Sequence, residues 1–217
     1  MQLLLATTNK KKLEEFRAIV AALDESLEVI GLDDLDQEGI EEPEEDGETF
    51  EDNARKKAVG YAKQTGRWCV ADDSGLEVDA LDGEPGVHSA RYAGKGKKRK
   101  KRDKHNNKKL LAELGNLPPE VRTARFVCVM ALAIPDTFAV QGATIAALTR
   151  GEFEGSIGFE KRGENGFGYD PLLVLEDGRT SAELEPEEKN AVSHRGQASR
   201  TMMKHIATMR KELAASA

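Results

Sequence analysis

Apolar residues fall into short runs and helical stripes. Residues 2–6 are an apolar run that ends at Thr7, Thr8 and Asn9, and Leu13, Phe16, Ile19, Val20 and Leu23 then recur at helical spacing. This predicts a strand, a turn and a helix. Residues 31–47 are rich in acids, with three glycines and a proline, and read as a loop. The stripe Phe50, Ala54, Ala58, Tyr61 and Ala62 predicts a second helix, ended by Gly66. Residues 68–71 predict a short buried strand whose end carries Asp72, Asp73, Ser74 and Gly75, and residues 76–81 alternate as a further strand. Leu110 to Leu114 close a helix before Gly115 and the Pro118–Pro119 pair. Residues 126–134, 138–148 and 169–175 predict strands. Ala198, Met202, Ile206, Met209 and Leu213 mark an amphipathic helix that begins after Ser193. Interleaved strands and helices imply an α/β fold, and the consecutive strands over 122–158 imply a mixed central sheet with an antiparallel section.

Composition narrows this. With 217 residues, 39% hydrophobic and 33% charged, the chain suits a single domain over 1–217. No apolar run reaches 18 residues and residues 1–6 are too short for a signal peptide, so membrane insertion and secretion are not expected. Cys69 and Cys128 lie inside apolar stretches with no metal-ligand spacing, and read as buried free thiols of a cytoplasmic protein. Ten Lys/Arg face one acid over residues 95–109, and this +9 within a net charge of −7 leaves −16 on the remainder. Specific nucleic-acid binding is therefore not expected. The segment reads as a mobile, solvated basic loop inside the domain, with weak polyanion contact as the alternative. Neither a P-loop nor a strand-linked G-x-G-x-x-G occurs.

Four constellations could carry chemistry. Thr7, Thr8, Asn9, Lys10, Lys11 and Lys12 lie where a strand feeds a helix, whose free N–H groups favour anions; the plainer alternative is an ordinary N-cap. Glu44, Glu45, Asp72 and Asp73 could share a cation, since magnesium takes one or two carboxylates and completes its shell with phosphate oxygens. Against this, acid runs are usually solvated and Asp-Ser-Gly is a common turn. The glycine-rich segment 163–171 presents Phe167 and Tyr169 and could stack a nucleobase, or could bury both rings. Lys189, His194 and Arg195 surround the start of the last helix, where a basic first turn is unfavourable unless an anion or a function compensates.

The ordered blocks A-T-T-N-K-K-K, E-E-D-G-E-T-F-E-D-N-A, A-D-D-S-G-L-E-V-D-A-L, P-G-V-H-S-A-R-Y-A-G, G-F-G-Y-D-P and E-E-K-N-A-V-S-H-R-G-Q-A span nearly the whole chain. Together they resemble the inosine triphosphate pyrophosphatase family in its bacterial-type branch. The resemblance implies an α/β fold with two lobes around an active-site cleft, commonly a homodimer. It also implies magnesium-dependent hydrolysis of ITP, dITP and XTP to monophosphate and pyrophosphate, which cleanses the nucleotide pool. Thr7, Asn9 and Lys12 match the family's phosphate-binding turn, where Thr8, Lys10 and Lys11 also lie, and Asn53 and Lys57 match polar positions of the next helix. Glu45 and Asp73 match the magnesium site, with Asp72 as a supporting carboxylate. Asp73 also matches the catalytic proton acceptor, and Ser74 a substrate contact. Phe167, Gly168, Tyr169, Asp170, Lys189, His194 and Arg195 match nucleotide-binding positions. The basic run at 95–109 is the main departure from the family pattern.

Two rival readings remain at this point. A septum-formation-inhibitor-type pyrophosphatase would act on modified pyrimidines, but the S-H-R and G-F-G-Y-D blocks do not suit it. A non-enzymatic nucleic-acid binder would use the basic run, but no aromatics are interleaved there to stack bases.

Overall fold

A computed structural model describes residues 1–35, 39–94, 98–136 and 142–216. Its six strands form one sheet in the order β2-β1-β3-β4-β5-β6. These are β1 (Gln2–Leu5), β2 (Glu28–Gly31), β3 (Cys69–Val78), β4 (Thr123–Pro135), β5 (Ala143–Ile157) and β6 (Leu173–Val174). The helices are α1 (Lys10–Leu23), α2 (Phe50–Thr65), α3 (Arg99–Leu114), α4 (Pro186–Val192) and α5 (His194–Ser216). β1 runs parallel to β2 and β3, while β5 and β6 are antiparallel, so the sheet is mixed as expected.

The chain divides into two compact units, and three strands contribute to both. The first comprises Met1–Asp73, Cys128–Gly151 and Arg195–Ala217; the second comprises Ser74–Val127 and Glu152–His194. In the first, Phe16 and Val20 of α1 and Ala198, Met202, Met203 and Ile206 of α5 pack on Leu3, Leu5, Val29, Val70, Met130 and Leu132. The helical stripes predicted from spacing supply this core. In the second, Leu110 and Leu114 of α3 pack with Leu76, Val78, Phe126, Phe153, Ile157 and Tyr169. Both cysteines are buried and free. Among the described residues no helix is long and apolar enough to cross a membrane.

Several sequence expectations change. Residues 69–78 form one strand instead of two, so Asp72 and Asp73 lie within β3 and not at a strand end. Both are buried with polar partners, so the acids do not interrupt the strand. The expected basic loop is helical from Arg99 onward, while residues 95–97 lie outside the described residues. Lysine and arginine are good helix formers, and Asn106, Asn107, Leu110 and Leu114 give the segment a buried face. The strand expected at 138–148 is β5, which begins at Ala143; residues 137–141 lie outside the described residues. Only Leu173–Val174 of the strand expected at 169–175 pair, because the preceding backbone turns through the bonds Asp170 N to Phe167 O and Leu172 N to Tyr169 O. β2 was not anticipated from the sequence. Only Val29 and Ile30 stand between Glu28 and Gly31 there, against the four-residue apolar run Leu3 to Ala6 that marks β1.

Candidate active site

The register of the parallel strands sets the first cluster. Leu5 is paired with Val70 and Ala6 N donates to Val70 O, so β1 turns into α1 beside the stretch of β3 that carries Asp72 and Asp73. In that turn Asn9 caps α1 by accepting from Lys11 N at 3.2 Å, and Thr7 Oγ1 accepts from Asn9 N at 3.2 Å. The first turn of α1 holds three lysines and no acid. A helix N-terminus with this charge favours an anion. Thr8, Lys10 and Lys11 are exposed, whereas Lys12 reaches Asp72 Oδ2 at 2.6 Å.

Successive side chains of a strand alternate in direction, and the two aspartates have different partners. Asp72, 3% exposed, faces Lys12, and Arg195 also acts on it. Burial works to raise its pKa, but Lys12, Arg195 and Lys57 together hold it well below the usual carboxylate range. Arg195 is itself buried and pairs with Glu15 of α1, which sequence reasoning missed. The acidic partner offsets the cost of a buried guanidinium in a helical first turn.

Asp73 turns to α2. Asn53 Nδ2 donates to its Oδ2 at 3.0 Å, and Lys57 Nζ stands 3.5 Å from Oδ1. The same ammonium lies 3.1 Å from Glu45 Oε1, so Glu45 and not the exposed Glu44 joins the cluster. Asn53 Oδ1 accepts from Gly47 N at 2.8 Å and thereby ties the acidic segment to the aspartate. A Cβ at Gly47 would stand 2.7 Å from that oxygen, which explains the glycine. Burial raises the Asp73 pKa, and Lys57, Lys12 and Asn53 only partly counter it. Ser74 follows on β3, half-buried.

Among the described residues no three His, Cys, Asp or Glu side chains converge as a protein-only metal cage. Glu45 and Asp73, drawn together by one ammonium, instead fit a hard cation that takes most of its oxygens from phosphate and water. Asp72 is committed to Lys12, so its expected place as a metal ligand is not supported by its contacts.

The second unit holds the glycine-rich loop. Asp170 organises it: Oδ2 accepts from Phe167 N at 2.7 Å and Lys189 Nζ at 2.6 Å, and Oδ1 accepts from Ser181 Oγ at 2.8 Å. Gly166, at φ 73°, passes so close that a Cβ would fall 2.0 Å from Asp170 Oδ2. Of the two rings, only Phe167 stays partly exposed. Tyr169 is a core residue whose hydroxyl donates to Ser89 O at 2.9 Å, which is the buried alternative for this ring. Asp170 and Lys189, both buried, likewise spend their charges on each other. His194 is buried and stacks on Phe126, with ring centroids 5.1 Å apart.

Residues 3–205 match the model of the Ham1 family. The chain is 47% identical over 199 residues to the dITP/XTP pyrophosphatase of Exiguobacterium sibiricum, covering 91% of this chain and 93% of that protein. It is 48% identical over 210 residues to the dITP/XTP pyrophosphatase of Geobacter sulfurreducens, covering 94% and 96%. The solved structure of a HAM1 protein from Coxiella burnetii superposes with a TM-score of 0.80 at 38% identity, over 96% of this chain and 99% of that one.

Proposed function

The chain belongs to the Ham1 family, and from that premise we propose that it hydrolyses the deaminated purine nucleotides ITP, dITP and XTP to monophosphate and pyrophosphate. It is a nucleoside-triphosphate pyrophosphatase. The observation that carries the reaction assignment is the buried Asp73, held through Oδ2 by Asn53 and facing Lys57 and Glu45.

Asp73 Oδ1, the oxygen not held by Asn53, accepts a proton from a water aligned for attack on the α-phosphorus. The new oxygen–phosphorus bond forms as the bond to the α–β bridging oxygen breaks, and pyrophosphate leaves. Magnesium is the proposed cofactor; Glu45 and Asp73 would hold it, and it would draw charge off the phosphates. Lys57 keeps the two carboxylates together and, with Lys12, sets positive charge against the phosphates. A well-placed donor of this kind typically contributes ~3 kcal/mol to lowering the barrier. Thr7, Asn9 and the first-turn N–H groups of α1 receive the phosphate oxygens.

Phe167 offers the ring on which the base stacks. Hypoxanthine and xanthine carry an O6 acceptor where adenine carries an N6 donor, so donors from His194 and Arg195 favour the deaminated bases. Guanine shares O6, and its rejection falls to the space around its 2-amino group. The family resemblance further implies a homodimer, and two buried free thiols suit the reducing cytoplasm. Light scattering of the purified chain tests the dimer.

The test incubates the protein with ITP, dITP, XTP, ATP and GTP, with and without magnesium, and measures monophosphate and pyrophosphate. Magnesium-dependent pyrophosphate release from the deaminated purines is expected, with Asp73→Asn slower by about 10²- to 10⁴-fold. Release of single phosphates, or an active Asp73→Asn, would refute the assignment.

A further inference from the structure

The basic segment contains a second set of contacts that its charge conceals. Gly168 lies between Phe167 and Tyr169, and α3 engages both polar groups of this residue. Asp103 Oδ2 accepts from Gly168 N at 3.2 Å, and Asn107 Nδ2 donates to Gly168 O at 3.0 Å. Asp103 and Asn107 are one helical turn apart, so both project from the same face. On the next turn toward the N-terminus, the Arg99 guanidinium lies over the Phe167 ring, 4.3 Å from its centroid. Asn107 is 1% exposed, and its Oδ1 has no hydrogen-bond partner among the described residues. An unpaired buried acceptor is unfavourable, so a buried amide at this position is poorly explained as core filling. It is explained by the donor that it supplies to Gly168 O.

We propose that Asp103 and Asn107 are positioning residues that hold the Gly168 backbone, and through it set the Phe167 ring for the purine base. The proposal rests on the assignment of Phe167 as the base platform. Phe167 carries no covalent brace, and its backbone is fixed by Asp170 at its own N–H and by α3 at the next residue. With both contacts intact the ring is ordered before substrate arrives, and the cost of ordering it does not count against binding. The lone acid in a run of ten cations thus has a backbone N–H of the loop as a partner. The outward-facing Lys100 and Lys101 take no part in the clamp.

The experiment compares wild type with Asp103→Ala, Asp103→Asn, Asn107→Ala and a Lys100→Ser/Lys101→Ser control. Two quantities are read: KM and kcat for ITP, and hydrogen–deuterium exchange of a peptide covering residues 166–170. Each alanine variant should raise KM about 3- to 10-fold while kcat changes by less than about 3-fold, as expected for one lost hydrogen bond that positions substrate. Exchange over 166–170 should quicken in parallel. Asp103→Asn keeps an acceptor for Gly168 N and should restore both readouts, and the lysine control should alter neither. Because Asp103 is half-exposed, its variants keep the test open if Asn107→Ala does not fold. Unchanged KM in Asp103→Ala, or equal losses in Asp103→Asn and Asp103→Ala, would overturn the proposal. If wild type hydrolyses no purine nucleotide, the assigned function fails, whereas unchanged exchange in Asp103→Ala refutes the clamp whether or not there is turnover.

Discussion

Replacing Lys12 with methionine tests whether Asp72 is a structural charge. The ammonium and carboxylate are 2.6 Å apart, and their side chains are 16% and 2% exposed. At an effective dielectric of about 20 their attraction is about 6 kcal/mol before the cost of desolvation. Methionine fills much the same volume, so little of the loss comes from packing. Removing one partner of a buried pair costs about 3–5 kcal/mol, because the remaining charge stays buried. Arg195 and Lys57 also act on Asp72 and retain part of the compensation. We therefore expect the lower end, about 3 kcal/mol, which lowers the melting temperature by about 6–12 °C in a chain of this size. Thermal and urea unfolding of the four-member cycle Lys12→Met, Asp72→Asn, the double variant and wild type measures it. The double variant should be more stable than Lys12→Met alone, since it no longer buries an unpaired carboxylate, and a coupling energy of about 2 kcal/mol is expected. A Lys12→Met loss below about 1 kcal/mol, or additive single losses, would show that Asp72 is not balanced by Lys12.

Arg122 provides a test whose hydrogen bonds involve none of the candidate site residues: it is fully buried and donates to Ile157 O, Gly115 O and Gly158 O at 2.7, 3.1 and 3.0 Å. Arg122→Met leaves three carbonyls without this donor and should cost about 3 kcal/mol by chemical denaturation; Arg122→Lys should rescue little, because one ammonium cannot reproduce the planar fork. The buried thiols give a pH prediction. Burial pushes the Cys128 thiol up to about 12 and raises Cys69 as well. The unfolded thiols ionise near pH 8.5, so the stability that these groups contribute is complete below that pH and is lost as the pH rises toward 12. Denaturation midpoints at pH 8 and pH 10 should differ less in Cys69→Ala/Cys128→Ala than in wild type, and a thiol reagent at pH 8 should label neither cysteine before unfolding.

What the sequence made legible was whatever repeats with a fixed period or sits at a strand-to-helix junction. The stripes of α1, α2 and α5 could be read because 3.6-residue spacing exposes a buried face. β2 offers only Val29 and Ile30 between Glu28 and Gly31, too little apolar run to mark a strand. In the candidate site, Asp73, Asn53, Lys57 and Glu45 were named in advance and do converge. Only the family resemblance separated Asp72 from Asp73, since adjacent acids look equivalent in composition and spacing until a strand sends them to different partners. For Tyr169 and Asp170 the motif was legible but the orientation was not, because a glycine-rich stretch does not reveal which of its side chains turn inward.

The basic segment shows the converse error, in which composition outweighed spacing. Ten cations in fifteen residues suggested a solvated loop, yet Asn106, Asn107, Leu110 and Leu114 recur at helical spacing and are buried. Asn106 Oδ1 accepts from Ala93 N at 2.8 Å and Nδ2 donates to Ser89 O at 3.1 Å, while Asn107 reaches Gly168 O. Each asparagine therefore binds main chain that is far away in sequence. The exposed Lys100, Lys101, Lys104 and Lys108 cover the outer face, where lysine costs a helix little. The polar inner face fixes two loops, one of them bearing Phe167. A charge run and a positioning element can thus be the same helix, and net charge reports only its outer side.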